Sequence, residues 1–204
     1  APGRGPHPAG KETRMKKIGF LGGGKIGRSM AEHVLERKLA EPVFIYDPYV
    51  TEEEICGVKV VHELTEDMVS GLDLVVECAA GEVTAEYGEM ILRHCDYMPF
   101  SMTAFRDDGL AGRMRAACGK YNRSVFLPHG AILGLDGIFD GREAFTSVSI
   151  ETIKNPKSLG RDDTEYTILF EGTAREATGL YPKNVNVHAA VALAGIGFDK
   201  THSK

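Results

Sequence analysis

Gly22-Gly23-Gly24-Lys25-Ile26-Gly27 is the stretch that decides the fold, because a strand pattern precedes it and a helix pattern follows it. The preceding residues, Lys17-Ile18-Gly19-Phe20-Leu21, are a short apolar run typical of a buried strand. After the glycines, apolar residues recur from Ile26 to Leu35 at the spacing of one helix face. A strand, a G-x-G-x-x-G turn and a helix together indicate a dinucleotide-binding unit.

Five residues of this turn have a physical task. Gly22 allows the tight turn out of the strand, and Gly24 lacks the Cβ that would block a pyrophosphate. Gly27 lets the helix pack closely on the strand. The helix N-terminus, where Lys25 and Ile26 stand, presents free N–H groups and a positive dipole end to the phosphates. These five residues are therefore predicted to bind the cofactor.

Asp47 is the second signal for a nucleotide, because it ends the next strand pattern and stands twenty residues beyond Gly27. An acid at that place binds the adenosine ribose. Its carboxylate accepts from a 2′-hydroxyl and repels a 2′-phosphate, and Pro48-Tyr49-Val50-Thr51 offer no base to receive one. We predict NAD as the cofactor. NADP stays open, because an Asp side chain can turn aside, and an ordinary glycine turn is the alternative that Asp47 disfavours.

Composition limits the class of protein. A chain of 204 residues with 43% hydrophobic residues suits one large domain or two small ones. The net charge of −5 argues against nucleic acid or an anionic membrane as a partner. No apolar run approaches the roughly 20 residues of a membrane span. Residues 1–14 are rich in Pro and Gly, lack an apolar signal core and are expected to be a disordered tail or an expression remnant.

The cysteines indicate the compartment. No C-x-x-C pair occurs, so we expect free thiols in a reducing cytoplasm and no metal site. The four cysteines are Cys56, Cys78, Cys95 and Cys118.

Strand and helix patterns alternate through residues 15–130. Such alternation predicts a Rossmann-type doubly wound parallel sheet, an α/β fold, as the dinucleotide-binding domain. Beyond the first two strands, the predicted strands are Val58–Val61, Leu72–Glu77, Tyr97–Met102 and Ser124–Leu127. The predicted helices are Leu64–Val69, Val83–His94 and Leu110–Lys120.

A smaller α+β domain is predicted over residues 131–204, for the substrate or for dimerisation. Phe145–Ile153 alternates with period two, which indicates a long strand exposed on one face, and Tyr166–Phe170 indicates another. Asn186–Gly195 has helical spacing, and residues 130–141 are expected to be a hinge-like linker. Two strands and a helix are too few to be stable on their own, so more chain or strands of a partner subunit are expected to complete this domain.

Ligands of open parallel sheets bind beyond the carboxyl ends of the strands. Cys78, Ala79 and Ala80 follow one such strand, and Ser101 and Thr103 follow the next. Small residues there allow a nicotinamide ribose to approach the backbone, so we predict cofactor contacts at these five residues. Tight packing of helix on strand is the alternative.

Several polar residues allow two interpretations each. His129 also follows a strand and is either an acid–base group or a polar loop residue. Asn186 either reaches a bound carboxamide or caps its own helix. Lys154, Lys157 and Arg161 are either a solvated surface or a site for an anionic substrate.

The chain resembles the L-aspartate dehydrogenase family from about Met15 to its end. That family is distantly similar to homoserine dehydrogenase and dihydrodipicolinate reductase. The segments that carry the resemblance are Val75–Ala79, Ser101–Phe105, Gly130–Asp136, Glu151–Gly160, Phe170–Gly172 and Pro182–Val187.

The resemblance implies NAD(P)-dependent oxidative deamination of L-aspartate to iminosuccinate, which water converts to oxaloacetate and ammonia. It also implies that iminosuccinate is supplied for making the pyridine ring of NAD. A further implication is a homodimer in which the sheets of the two second domains pair with each other. Ala131 and Asn186 match the family's positions that contact the nicotinamide cofactor. The expected partners are therefore small molecules, either L-aspartate or oxaloacetate with ammonia.

Three departures leave alternatives open. His129 and Leu133 stand where the family usually has Ser and Gly. The family's catalytic histidine falls past the equivalent of Lys204, and neither His188 nor His202 occupies its position. No catalytic residue is therefore predicted within this sequence. The alternatives are an oxidoreductase of the homoserine dehydrogenase or dihydrodipicolinate reductase type, and a non-catalytic NAD-binding sensor.

Overall fold

The computed structural model describes residues 14–204. The predicted tail, residues 1–14, therefore lies outside the described residues except for Arg14. The guanidinium of Arg14 hydrogen-bonds to both carboxylate oxygens of Asp73 at 2.9 Å.

A six-stranded sheet forms the first part of the fold, with the strand order β3-β4-β2-β1-β5-β6. All pairings in it are parallel except that of the short β3 with β4. Its strands are β1 (Lys17–Leu21), β2 (Glu41–Tyr46), β3 (Glu54–Ile55), β4 (Val58–Val61), β5 (Leu74–Glu77) and β6 (Asp96–Pro99). The helices along this part are α1 (Lys25–Glu36), α2 (Glu66–Val69), α3 (Gly81–Leu92) and α4 (Asp108–Tyr121). The predicted α/β fold class is confirmed.

Both faces of the sheet are covered, as β1 shows. Successive side chains of a strand point to opposite faces. Phe20 packs in one apolar cluster with Ala31 of α1, and Leu21 packs in another with Ile91 of α3. Both strand side chains are fully buried, and burial of each stabilises the fold by roughly 1.5–3 kcal/mol. A near-continuous apolar strand is what this two-sided packing requires.

The second part of the fold has a three-stranded sheet with the order β7-β9-β8. β7 pairs parallel with β9, and β8 pairs antiparallel with β9. Its elements are α5 (Leu135–Gly141), β7 (Val148–Ile150), β8 (Gly172–Thr173), α6 (Ala174–Leu180), α7 (Asn186–Ala194) and β9 (Thr201–Ser203). The last residues of the sequence thus supply the central strand, which the sequence pattern did not reveal.

Three predicted strands differ most from the structure, and two more, Leu72–Glu77 and Tyr97–Met102, are shorter as β5 and β6. Ser124–Leu127 forms only a bridge between Val125 and Tyr97, because its pairing with β6 extends no further than this one residue pair. Phe145–Ile153 is a strand only over the three residues opposite β9, since a ladder extends no further than its partner. Tyr166–Phe170 is not a strand, because β9 pairs with Gly172–Thr173 instead.

The linker predicted over residues 130–141 is wrong in its second half, where α5 forms. Leu135 at the start of that helix is buried in the same cluster as Ala190 of α7 and Leu110 of α4. One apolar core therefore continues from the first sheet's helices into the second part of the chain. The division at residue 130 stays a prediction.

None of the helices within residues 14–204 combines the length and the apolar character needed to cross a membrane.

Candidate functional site

The glycine turn has the geometry that its three tasks require. Gly22 has φ +108°, and a Cβ there would lie 2.9 Å from the backbone of Cys78. A Cβ on Gly27 would lie 1.9 Å from the carbonyl oxygen of Gly22, so only glycine fits. A Cβ on Gly24 would meet nothing within 4 Å. Gly22 and Gly27 are thus required by packing, whereas the space beside Gly24 is open to a ligand.

The N-terminus of α1 fits a dinucleotide pyrophosphate. Gly24 is the N-cap and provides no side-chain hydrogen bond to the first turn. The first backbone bond of the helix runs from Arg28 N–H to the Gly24 carbonyl at 3.0 Å, so the amides of Lys25, Ile26 and Gly27 have no intrahelical partner. Ile26 is 51% exposed although it is apolar. This turn presents free donors and an open face, and such an end favours an anion.

Asp47 is fixed beside this turn by the backbone. Its carboxylate accepts hydrogen bonds from the N–H groups of Gly23 at 2.8 Å, Tyr49 at 2.9 Å and Val50 at 3.2 Å. Partial burial raises the pKa of this carboxyl, but the three backbone donors together outweigh it and hold the pKa below its usual value. Asp47 is therefore ionised and held next to the glycine turn, where it was predicted to bind the ribose.

Arg28 also belongs to this end of the site, and the sequence pattern did not reveal it. Its Nε donates to the carbonyl of Gly23 at 2.8 Å, and its Nη2 donates to Glu52 at 2.7 Å. The only sequence signal was its place directly after Gly27, because its carboxylate partner stands 24 residues away.

Glu77 is a second residue whose role was missed, at the carboxyl end of β5. It is fully buried, and its carboxylate accepts from Ala79 N–H at 2.6 Å, Ser101 N–H at 3.0 Å and Ser101 O–H at 2.9 Å. Thr84 Oγ1 donates to it at 3.3 Å. Burial raises the pKa of this carboxyl even though all these donors favour the charged form. One acid therefore joins the ends of β5 and β6, where cofactor contacts were predicted at Ala79 and Ser101.

The other residues after β5 have different surroundings. The Cys78 thiol points between the sheet and α1, with its Sγ 3.7 Å from Met30 Sδ, and burial with the charge of Glu77 raises its pKa to about 12. It is therefore not a nucleophile. Ala79 is exposed, and Ala80 is the N-cap of α3 without a side-chain hydrogen bond. These positions therefore place only small side chains at the open edge.

Asn186 connects the second part of the chain to this edge. Its Nδ2 donates to the carbonyl of Phe100 at 2.6 Å, and its Oδ1 accepts from the N–H of Thr103 at 3.3 Å. The alternative that Asn186 caps its own helix is wrong, since no side-chain cap is present on α7. Asn186 is thus brought next to Ser101 and Thr103, and their shared role at the cofactor stays a prediction.

Ala131 and His129 lie apart from that network. Both are exposed, in a turn where the Ile132 N–H donates to the His129 carbonyl at 3.2 Å. His129 lines a cavity of about 350 Å³ with Met102 and residues of α5 and α7. Met102 directly precedes Thr103, so this turn lies near the Asn186 network, but no described contact joins Ala131 to it.

A second cavity, of about 340 Å³, lies between the three-stranded sheet, α6 and α7. Lys154 lines it and donates to the carbonyl of Asn184 at 2.6 Å, and Arg161 lines it and pairs with Asp163. His188 also lines it, buried, with its Nε2 2.6 Å from Thr152 Oγ1 and its Nδ1 bonded to Ser203 Oγ. Burial, with the nearby charge of Lys154, lowers the pKa of His188.

Comparisons with known proteins agree with the resemblance. The family profile described as homoserine dehydrogenase, NAD binding domain, matches residues 22–128. The profile described as aspartate dehydrogenase, C-terminal, matches residues 139–204. The L-aspartate dehydrogenase of Methanococcoides burtonii is 34% identical over 93% of this chain and 78% of its own length. That of Thermotoga maritima is 36% identical over 89% of this chain and 72% of its own length.

This chain belongs to the L-aspartate dehydrogenase family. The crystal structure of the Thermotoga maritima aspartate dehydrogenase superposes on it with a TM-score of 0.79, covering 94% of this chain and 77% of that one at 34% identity. The prediction of the family, and with it that of an NAD(P)-dependent dehydrogenase, is confirmed. A non-catalytic sensor is thereby set aside.

Proposed function

We propose that this protein catalyses the reversible oxidative deamination of L-aspartate, with NAD as its preferred cofactor. The observation that carries the proposal is one continuous row of residues along the strand ends of the first sheet. It is formed by the glycine turn with Asp47, the Glu77-held ends of β5 and β6, and Asn186 on α7. The names of the relatives supply the substrate.

The proposed reaction balances as follows. Loss of a hydride from C2 of aspartate and of protons from its nitrogen gives iminosuccinate. Water adds to the imine carbon and ammonia leaves, so aspartate, water and NAD⁺ become oxaloacetate, ammonium, NADH and a proton. The nicotinamide, when bound, supplies the hydride acceptor, and the protein supplies binding and orientation.

In this proposal the pyrophosphate binds at the open face of Gly24 and the amides of Lys25 and Ile26. Asp47 accepts from the ribose hydroxyl. Gly22 and Gly27 hold the turn in shape, as their close backbone contacts support. An ionised acid beside free amides divides the site into a part for phosphate and a part for sugar.

The nicotinamide end is proposed to lie along the small residues Cys78, Ala79 and Ala80, with Ser101 and Thr103 opposite. Glu77 supports this by holding both strand ends in fixed positions. Ala131 and Asn186 are the further contacts that the family resemblance implies. We assign no acid–base role to His188, because both of its ring nitrogens contact hydroxyl oxygens.

We also propose a homodimer, a domain division at residue 130, and a role for iminosuccinate in building the pyridine ring of NAD. The dimer is supported by the large apolar side chains that the second part exposes, among them Ile153 and Tyr166. Light scattering of the purified protein tests the dimer, and a monomer at micromolar concentration would contradict it.

The function is tested by following NADH loss with oxaloacetate and ammonia. We expect consumption only when both substrates are present, because the imine forms from the pair. Consumption with oxaloacetate alone would indicate reduction of the keto group and contradict the proposal. Calorimetry with NADH provides a separate readout of cofactor binding. If NADH binds but no pair of keto acid and ammonia consumes it, the substrate assignment is wrong and the cofactor site stands.

A further inference from the structure

Two oppositely charged side chains meet at one residue of the glycine turn. The N–H of Gly23 donates to Asp47 Oδ2 at 2.8 Å, and the carbonyl of the same residue accepts from Arg28 Nε at 2.8 Å. The amide nitrogen and carbonyl oxygen of one residue are only about 3 Å apart. Gly23 therefore bridges Arg28 to the acid that is proposed to bind the adenosine ribose.

The two charges differ in how firmly they are held. Asp47 is fixed by three backbone donors. Arg28 is held through its Nη2 by Glu52, and the side chains of this pair are 40% and 50% exposed. An exposed ion pair is weak and rearranges readily. The guanidinium is thus the mobile charge at this end of the site, and Glu52 is its present partner.

NADP differs from NAD only by a phosphate on the ribose hydroxyl that Asp47 is proposed to bind. A guanidinium is well suited to bind a phosphate, because its parallel N–H groups pair with two phosphate oxygens. We propose that Arg28 receives this 2′-phosphate and that Glu52 competes with the phosphate for it, so that the pair sets how strongly the enzyme prefers NAD over NADP. The inference rests on the proposed cofactor site.

This assignment changes an expectation taken from the sequence. Pro48-Tyr49-Val50-Thr51 offered no base after the ribose-binding strand, which favoured NAD over NADP. The structure supplies the base from α1 instead, on the other side of Gly23. Asp47 repels the added phosphate while Arg28 attracts it, so discrimination is the balance of the two.

The test measures dissociation constants for NADH and NADPH by calorimetry with the whole chain. Glu52→Gln frees the guanidinium, and we expect NADPH to bind about three- to tenfold more tightly while NADH changes less than about twofold. Arg28→Gln is expected to weaken NADPH at least about threefold more than NADH. Arg28→Lys keeps the positive charge but lacks the parallel N–H groups of the guanidinium. Its affinity for NADPH is expected to lie between those of Arg28→Gln and the unmodified protein.

A matched control is available on the helices of the other face. Arg113 Nε pairs with Glu89 at 2.7 Å, an exposed pair with the same sequence separation. Arg113→Gln and Glu89→Gln should leave the ratio of the two dissociation constants unchanged. Thermal unfolding of each variant shows whether it is folded.

The outcomes separate this inference from the proposed function. If NADH binds normally but neither variant changes the ratio of NADPH to NADH affinity, the inference is wrong and the proposed cofactor site stands. Equal weakening of both cofactors by Arg28→Gln would make Arg28 a brace for Gly23 and also overturn the inference. If the unmodified protein binds neither nucleotide, the proposed function and the inference both fail.

Discussion

Glu77 and Ser101 are joined by two hydrogen bonds at neighbouring strand ends, from the Ser101 N–H at 3.0 Å and its hydroxyl at 2.9 Å. The same carboxylate accepts from Ala79 N–H at 2.6 Å. A buried acid surrounded by donors fixes the backbone on both sides of a sheet crevice. This relationship holds the ends of β5 and β6 together at the proposed nicotinamide end of the site.

Glu77→Gln should therefore lower the free energy of unfolding. An amide has one acceptor oxygen, and its NH₂ group would face the donors of Ala79 or Ser101. We expect a loss of about 1–3 kcal/mol at neutral pH, measured by urea unfolding, because a buried donor is left unpaired. Glu63→Gln, at an exposed position, is the control and should change stability by no more than about 0.5 kcal/mol.

The same pair of variants yields a pH prediction with a definite sign. Burial raises the folded-state pKa of Glu77 above the ordinary value of 4.5, so the folded state holds this proton more tightly than the unfolded state. The resulting stability is present below pH 4.5 and is lost as the pH rises through the folded-state pKa. The stability difference between the unmodified protein and Glu77→Gln should thus shrink as pH rises. A difference that grows with pH would contradict the raised pKa.

Gly24 and Gly27 should respond to substitution in opposite ways. A side chain on Gly24 enters open space, so Gly24→Val should fold with stability within about 1 kcal/mol of the unmodified protein yet bind NADH at least about tenfold more weakly. Gly27→Ala places a Cβ against the Gly22 carbonyl and should destabilise the fold itself. Unfolding curves and NADH titrations of both variants check this. Normal NADH binding by Gly24→Val would place the pyrophosphate elsewhere.

Local sequence patterns predicted the elements that depend on local physics. β1, α1 and the Gly27 contact follow from one apolar run, one helical face and one forbidden Cβ. Patterns failed where pairing was long-range, as at Tyr166–Phe170, which was predicted as a strand but pairs with no strand within residues 14–204. β9 was missed because Thr201–Ser203 becomes a strand only through partners far away in sequence.

The site residues also divide into those that a local pattern predicts and those that depend on distant partners. Gly22, Gly24 and Asp47 belong to a motif of fixed spacing, whereas Glu77 and Arg28 act through partners 24 residues away. A usable signal did exist for Glu77, because a carboxylate that ends an apolar strand must find buried donors. Which donors it finds depends on how β5 and β6 pair, and the local pattern does not contain that information.

Asp47→Ala should narrow the preference for NAD over NADP. The acid loses its role on the ribose hydroxyl and its repulsion of the phosphate, so NADH should bind about tenfold more weakly while NADPH changes less. Backbone donors hold the pKa of Asp47 below 3.8, so in the unmodified protein this contact should persist unchanged throughout the neutral range. Calorimetry with both nucleotides measures the effect. Equal affinity changes for the two would remove Asp47 from the ribose site.

Asn186→Ala tests whether α7 and the segment Phe100–Thr103 after β6 act as one unit. The substitution removes the hydrogen bonds to the Phe100 carbonyl and from the Thr103 N–H, so we expect about 1–2 kcal/mol lower stability and weaker NADH binding. Asn184→Ala is the matched control, because the described hydrogen bonds of Asn184 use backbone atoms alone: its carbonyl accepts from Lys154 and its N–H donates to the Tyr181 carbonyl. Thermal unfolding and NADH titration of the two variants should separate them clearly. If Asn184→Ala weakened NADH as much as Asn186→Ala, the loss would belong to the start of α7 in general and not to the Asn186 amide.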